Sequence, residues 1–133
     1  MASKIIQTVG RRKTCAAQVR MVPSEAGGRI TVNEKPVSDF FKGNLRHAMT
    51  ATQVLTVVKN FGNYDFDVTV YGGGLTGQAE SIRHGIARAI AQLDPKFRVL
   101  MRKEGFLTRD PRAVERKKSG QPKARKRFQY SKR

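Results

Sequence analysis

YDFDVTVYGGGLTGQAESIRHGIARAIAQL, residues 64–93, changes its period in the middle. From Tyr64 to Tyr71 it alternates: Phe66, Val68 and Val70 fall on one side of an extended chain, Asp65, Asp67 and Thr69 on the other, as in a strand covered on one face. After Gly72-Gly73-Gly74 the apolar residues recur every three or four positions, at Ala79, Ile82, Ile86, Ile90 and Leu93, which predicts a helix over 77–93 beginning near Thr76. Strand, glycine turn and helix, the helix docked by its isoleucines, make the centre of an α+β domain. Ser81, His84 and Arg88 project opposite that stripe with Gly85 beside them, so this face is expected to be charged and closely approachable. Arg83 flanks the stripe, either snorkelling from the core or reaching outward.

The glycines deserve a second reading. Gly72-x-Gly74-x-x-Gly77 matches a dinucleotide-binding fingerprint, and Asp94 stands about 20 residues on. That fingerprint needs its acid at the end of the next parallel strand, whereas Asp94-Pro95 reads as an N-cap and first-turn proline of a helix running through Phe97, Leu100 and Met101 to Gly105. Gln78 also occupies the place where a phosphate loop has its lysine. No cofactor is therefore expected, and a nucleotide-binding enzyme is kept only as the alternative. The loop retains the general chemistry of anion sites: glycine backbone N–H groups that an anion can approach and a helix N-terminus behind them. The competing explanation is that the glycines simply allow a tight turn.

Upstream, Lys4 to Val9 and Thr14 to Val22 alternate as strands, the second with Ala17, Val19 and Met21 on one side. Pro23 to Gly28 is a turn, and Arg29 to Asn33 returns with Ile30 and Val32 inward, giving an antiparallel meander. Gly10-Arg11-Arg12-Lys13 is read as the connection between the first two strands, where three adjacent cations repel one another unless an anion sits among them. Pro36 to Phe41 is a helical turn stopped by Gly43, and Leu45 to Val58 is helical, with Leu45, Met49, Thr52, Leu55 and Val58 as its stripe and His47 off it. Gly62 and Asn63 are read as a turn. Cys15 is a small core residue, and one thiol with two histidines excludes a disulfide framework and a zinc set. Asp65 and Asp67 lack the third acid and the glycine of a calcium loop, so no metal is expected.

Downstream the composition shifts. Of the chain's net +17, +9 lies in the 25 residues from Arg109, which carry 11 Lys or Arg against Asp110 and Glu115. Asp110-Pro111 repeats the helix-start signal, predicting a turn or two over Arg112 to Lys118, with extended chain beyond Gly120. Too few apolar side chains are present to offset an ordering cost of about 1–2 kcal/mol per residue, so the tail must be ordered by a partner, and a polyanion suits it. The division expected is a globular domain over 1–106 and a basic tail over 107–133. No apolar run is long enough to cross a bilayer, no secretory signal opens the chain, and the tail lacks the apolar face of a membrane-surface helix; no membrane partner is expected. A general DNA-compacting protein is the second alternative, weakened by the folded core.

YGGGLTGQAESIRHGIARAI (71–90), GFLTRDPRAVERKKSGQPKARKRFQYSKR (105–133) and the early TVGRRKTCAAQVR (8–20) together resemble the small-subunit ribosomal protein nine family in its bacterial or organellar form. The resemblance covers nearly the whole chain. It implies an α+β fold with a four-stranded sheet, helices packed on one face, a left-handed βαβ crossover and an extended basic C-terminal tail. It also implies a non-catalytic constituent of the small ribosomal subunit, in the cytoplasm or an organelle matrix, among neighbouring proteins of the subunit head. Small-subunit rRNA would then be bound by Arg11, Arg12, Lys13, Arg46, Gly73, Gly74, Gln78, Arg83, His84 and Arg88. Along the tail the rRNA contacts would be Arg109, Arg112, Arg116, Lys117, Lys118, Lys123, Arg125, Lys126 and Arg127. Ser131, Lys132 and Arg133 would meet the anticodon stem-loop of peptidyl-site tRNA.

Overall fold

The computed structural model describes residues 4–58 and 63–132; Gly62 of the expected turn lies outside them. The elements are β1 (Ile6–Arg12), β2 (Cys15–Pro23), β3 (Ile30–Val32), β4 (Lys35–Pro36), α1 (Val37–Phe40), α2 (Leu45–Val57), β5 (Tyr64–Tyr71), α3 (Leu75–Leu93) and α4 (Pro95–Lys103). They form a five-stranded sheet in the order β1-β2-β5-β3-β4. The first third is therefore not a simple meander. β5 inserts between β2 and β3, antiparallel to β2 and parallel to β3. The chain reaches β5 from β3 through β4, α1 and α2, which makes the helical connection of a β-α-β unit.

The expected four-stranded sheet gains a two-residue edge strand, Lys35–Pro36, paired with Thr31 and Val32. A left-handed turn at Asn33 and Glu34 brings it back, and Asn33 then extends the ladder with its side chain: Nδ2 donates to Val70 O and Oδ1 accepts from Val70 N, both at 3.0 Å. The side-chain amide thus stands in for a peptide group after β3 ends.

β1 runs three residues further than expected. Arg12 pairs with Cys15, so Gly10-Arg11-Arg12 is strand and only Lys13-Thr14 turns, with Lys13 at φ 53°. Burial alternates along every long strand. Ile6, Thr8, Ala17, Val19, Met21, Phe66, Val68 and Val70 face the core, while Gln7, Gln18, Arg20, Asp67 and Thr69 line the open face.

α3 covers the buried face, packing on β1, β2 and β5, with α2 and α4 against its flanks. Ala79, Ile82, Ile86 and Ile90 are fully buried as expected, but so are Ser81, Ala87 and Ala89, and Gly85 is buried as well. Of the face expected to be open, Ser81 and Gly85 lie on β1 and His84 is half-buried, while Arg88 stays exposed. Gly10 and Gly85 remove the side chains that would hold strand and helix apart, and Thr8 Oγ1 donates to Gly85 O at 2.8 Å. The expected stripe on α2 holds only toward its end: Val58 is buried and Leu55 packs partly against the core, but within the helix Ala51 and Val54 are the buried residues, whereas Leu45 and Met49 stand exposed. Small Ala51 lets α2 approach α3 more closely than a stripe of large residues allows. His47 tilts against Phe41.

Asp94 caps α4, its Oδ1 accepting from Lys96 N at 2.9 Å, as the Asp-Pro signal requires. Asp110-Pro111 starts no helix. Residues 111–118 carry no regular structure and Val114 is 88% exposed, since a helix there would have no apolar stripe to bury.

Candidate nucleic-acid interface

The site grows from the β1–β2 turn, where strand geometry sends neighbouring cations to opposite faces. Arg11 and Lys13 point to solvent, while Arg12, one residue between them, turns into the core. A guanidinium carries five donors and no acceptor, so inside a protein it must find oxygens. Arg12 finds three: its Nε donates to Glu80 of α3, its Nη2 lies 3.4 Å from Asp110 Oδ2, and its Nη1 donates to the Arg112 carbonyl at 2.8 Å. The cleft around these groups holds only about 30 Å³, room for little more than a water.

His84 makes a second junction. Its Nδ1 accepts from Arg11 N–H at 3.3 Å, which leaves Nε2 to carry the proton and donate to Leu107 O, also at 3.3 Å. Burial, with Arg88 nearby, lowers its affinity for a second proton, although the contact with Leu107 opposes that. Arg88 itself donates to Val9 O. Arg83 donates to Gln53 Oε1 at 2.9 Å and lies over the Phe106 ring, joining α3 to α2 and to the chain after α4. Arg109 donates to Lys13 O at 3.4 Å, so the tail begins across the β1–β2 turn.

The glycine loop has a different interior from the one a nucleotide site needs. Cys15 Sγ donates to Gly72 O at 3.0 Å, and a Cβ on Gly73 or Gly77 would lie 2.2 or 2.8 Å from that sulfur. The loop is folded around a thiol, which burial pushes above its usual pKa. Gln78 turns its amide back onto Gly72 O at 3.2 Å. The outer side is open: Gly74, the N-cap of α3, has no side-chain cap and nothing within 4 Å of where its Cβ would stand.

Along the tail two acids organise their neighbours. Asp110 accepts from Arg112 N at 3.0 Å and from its guanidinium at 2.7–3.1 Å, and these bonds, aided by Arg12, hold its carboxyl well below the usual carboxylate range. Glu115 binds Lys118 and, at 3.0 Å, Arg125, drawing the chain into a turn around Gly120. Both contacts hold the Glu115 carboxyl below its usual range. Arg116, Lys117, Lys123, Lys126, Arg127 and Lys132 make no ion pair among the described residues, and all are exposed. Arg46 is exposed on α2.

The sequence profile described as ribosomal protein S9/S16 matches residues 10–133, which includes the β1–β2 turn, the glycine loop and the entire tail. The chain belongs to the ribosomal protein S9/S16 family.

Relatives in the S9/S16 family resemble it from end to end. It is 50% identical over 133 residues, all of both chains, to the small ribosomal subunit protein uS9 of Anaeromyxobacter sp. (strain K). It is 50% identical over 131 residues, 98% of this chain and 99% of the other, to that of Christiangramia forsetii. For the Chlorobium limicola protein the figures are 47% over 130 residues and 98% of each chain. A member of the S9/S16 family is a structural protein of the small ribosomal subunit acting in translation, not an enzyme. The nucleotide-enzyme alternative is thereby set aside. Among the described residues no three His, Cys, Asp or Glu side chains gather as a metal site, and no helix is long and apolar enough to cross a membrane.

Sequence reasoning grouped Arg11, Arg12 and Lys13 as one cluster; the structure separates them. It also passed over Glu80 and read Asp110 only as a helix-start signal, not as partners of Arg12. The available signal was their sign, two acids standing where nearly every other charge is positive.

Proposed function

We propose that the chain binds small-subunit rRNA along the edge where the β1–β2 turn, the open side of the glycine loop and the tail come together, and that Ser131, Lys132 and Arg133 reach the anticodon stem-loop of peptidyl-site tRNA. One observation carries the reading: Arg116, Lys117, Lys123, Lys126, Arg127 and Lys132 are exposed in the tail with no acidic partner among the described residues, so phosphates can neutralise them. Arg11, Lys13, Arg46 and Gly74 supply contacts from the folded part, while Gln78, Arg83, His84 and Arg88, already bonded within the protein, shape the surface beneath. The working division is a globular domain over 1–106 and a tail over 107–133. The β3-to-β5 crossover is assigned the left-handed sense implied by the family resemblance. The protein then acts within the ribosome of the cytoplasm, among neighbouring proteins of the subunit head.

Phosphate contacts of this kind position RNA without reading its sequence. An arginine forks onto a phosphate where lysine offers a point charge. Arg133→Ala is therefore expected to weaken peptidyl-site tRNA on small subunits in low magnesium more than Lys132→Arg does. Equal tRNA binding by Arg133→Ala and parent subunits would refute the tRNA contact.

A further inference from the structure

Arg12 is the only charged residue buried among those described, and its partners sit 68 and 98 residues away in sequence, on α3 and on the tail. The geometry points to a latch: Arg12, held by Glu80, grips Asp110 and the Arg112 carbonyl and so fixes the direction in which the basic tail leaves the core. These three residues are then positioning residues for the tail's RNA and tRNA contacts, a role that rests on the reading of the tail given above.

Three observations support it. The chain has ten acids against 27 Lys and Arg, and two of them converge on this one buried cation, where they weaken rather than strengthen attraction to a polyanion. The same segment is pinned on either side of Asp110, by His84 at Leu107 and by Arg12 at Arg112, while Arg109 meets the β1–β2 turn. The cleft between them is too small for a phosphate group, so Arg12 is spent on the protein. A long flexible chain loses conformational freedom when it threads into folded RNA, and fixing its root beforehand removes part of that cost.

The test uses the full chain with nitroxide labels at Thr69→Cys, on the open face of β5, and Val114→Cys, in the exposed tail; Cys15 is buried and stays unlabelled. Distances are read by pulsed electron resonance without RNA. One narrow distance peak is expected for the parent, lost in Arg12→Gln, Glu80→Gln and Asp110→Asn alike and partly kept in Arg12→Lys. Asp110→Asn changes only the tail side and keeps the test meaningful should Arg12→Gln not fold. In assembled small subunits the same variants are expected to weaken peptidyl-site tRNA, even though Glu80→Gln raises the net charge, which by itself would favour RNA.

A narrow peak retained in Glu80→Gln and Asp110→Asn would overturn the latch. So would a loss of about 0.9 in salt slope on duplex RNA for Arg12→Gln with tighter RNA binding by Glu80→Gln, since that is the signature of a phosphate contact. A loosened tail with undiminished tRNA binding would overturn the positioning role, and the Arg133→Ala comparison in the same assay would then show whether the tail reading itself survives.

Discussion

Gly10 and Gly85 meet backbone to backbone where β1 crosses α3. A Cβ on Gly10 would stand 1.9 Å from Ser81 O and 2.3 Å from Gly85 N, and one on Gly85 would stand 2.6 Å from Val19 Cγ2. The atoms that a Cβ on Gly10 would meet are all α3 backbone, which cannot step aside as a flexible side-chain end can. Gly10→Ala is expected to destabilise the fold by about 3 kcal/mol or more, at the upper end for overpacked cores. Gly74→Ser is the control: its Cβ meets nothing, its extended backbone suits an N-cap, and it should be neutral or stabilising by a few tenths of a kcal/mol. Urea unfolding of the two variants checks the contrast.

The packing of Gly77 on Cys15 makes a prediction with a change of sign. Alanine in a helix interior gains about 1 kcal/mol over glycine, but here its methyl would lie 2.8 Å from Cys15 Sγ. Gly77→Ala should therefore destabilise the parent and become neutral or stabilising in a Cys15→Ala background, where the contacts left, to Arg12 O at 3.6 Å and to the residue 15 Cβ at 3.8 Å, are ordinary van der Waals distances. A double-mutant cycle should give a coupling of at least about 1 kcal/mol. Additive effects would mean the sulfur is not what excludes a side chain.

His84 should confer a pH dependence. Its proton affinity is lowered in the fold, chiefly by burial, so the unfolded chain binds a proton first as pH falls. Stability should decline as pH drops below about 6.5, the ordinary histidine value, until the folded protein also takes up the proton. A proton on Nδ1 would also displace the Arg11 N–H it accepts. The difference in unfolding free energy between pH 7.5 and pH 5.5 should shrink in His84→Gln; an unchanged difference would assign the dependence elsewhere.

The tail's charge should be visible in salt. Residues 121–133 carry six cations, Lys123, Arg125, Lys126, Arg127, Lys132 and Arg133. At about 0.9 per phosphate neutralised on a duplex, deleting 121–133 should reduce the log–log salt slope of RNA binding by about 5. A reduction near zero would mean that these side chains stay in water when RNA is bound.

The sequence by itself determined what is local or additive. Alternation placed Phe66, Val68 and Val70 inward, a three-to-four spacing gave α3 and its isoleucines, Asp94-Pro95 began α4, and the excess of lysine and arginine marked the tail. These follow because neighbours a few residues apart share one backbone geometry, and charge adds whatever the fold. Only the tertiary structure decided that Gly10 meets Gly85, that the glycine loop closes on Cys15, that Ala51 rather than Met49 faces inward, and that Arg12 turns away from Arg11 and Lys13 to bind Glu80 and Asp110. Periodicity says that a face is covered but not by what, and a glycine looks the same in sequence whether it admits a phosphate, a thiol or a helix. The partner in each case arrives from tens of residues away, where no spacing rule reaches.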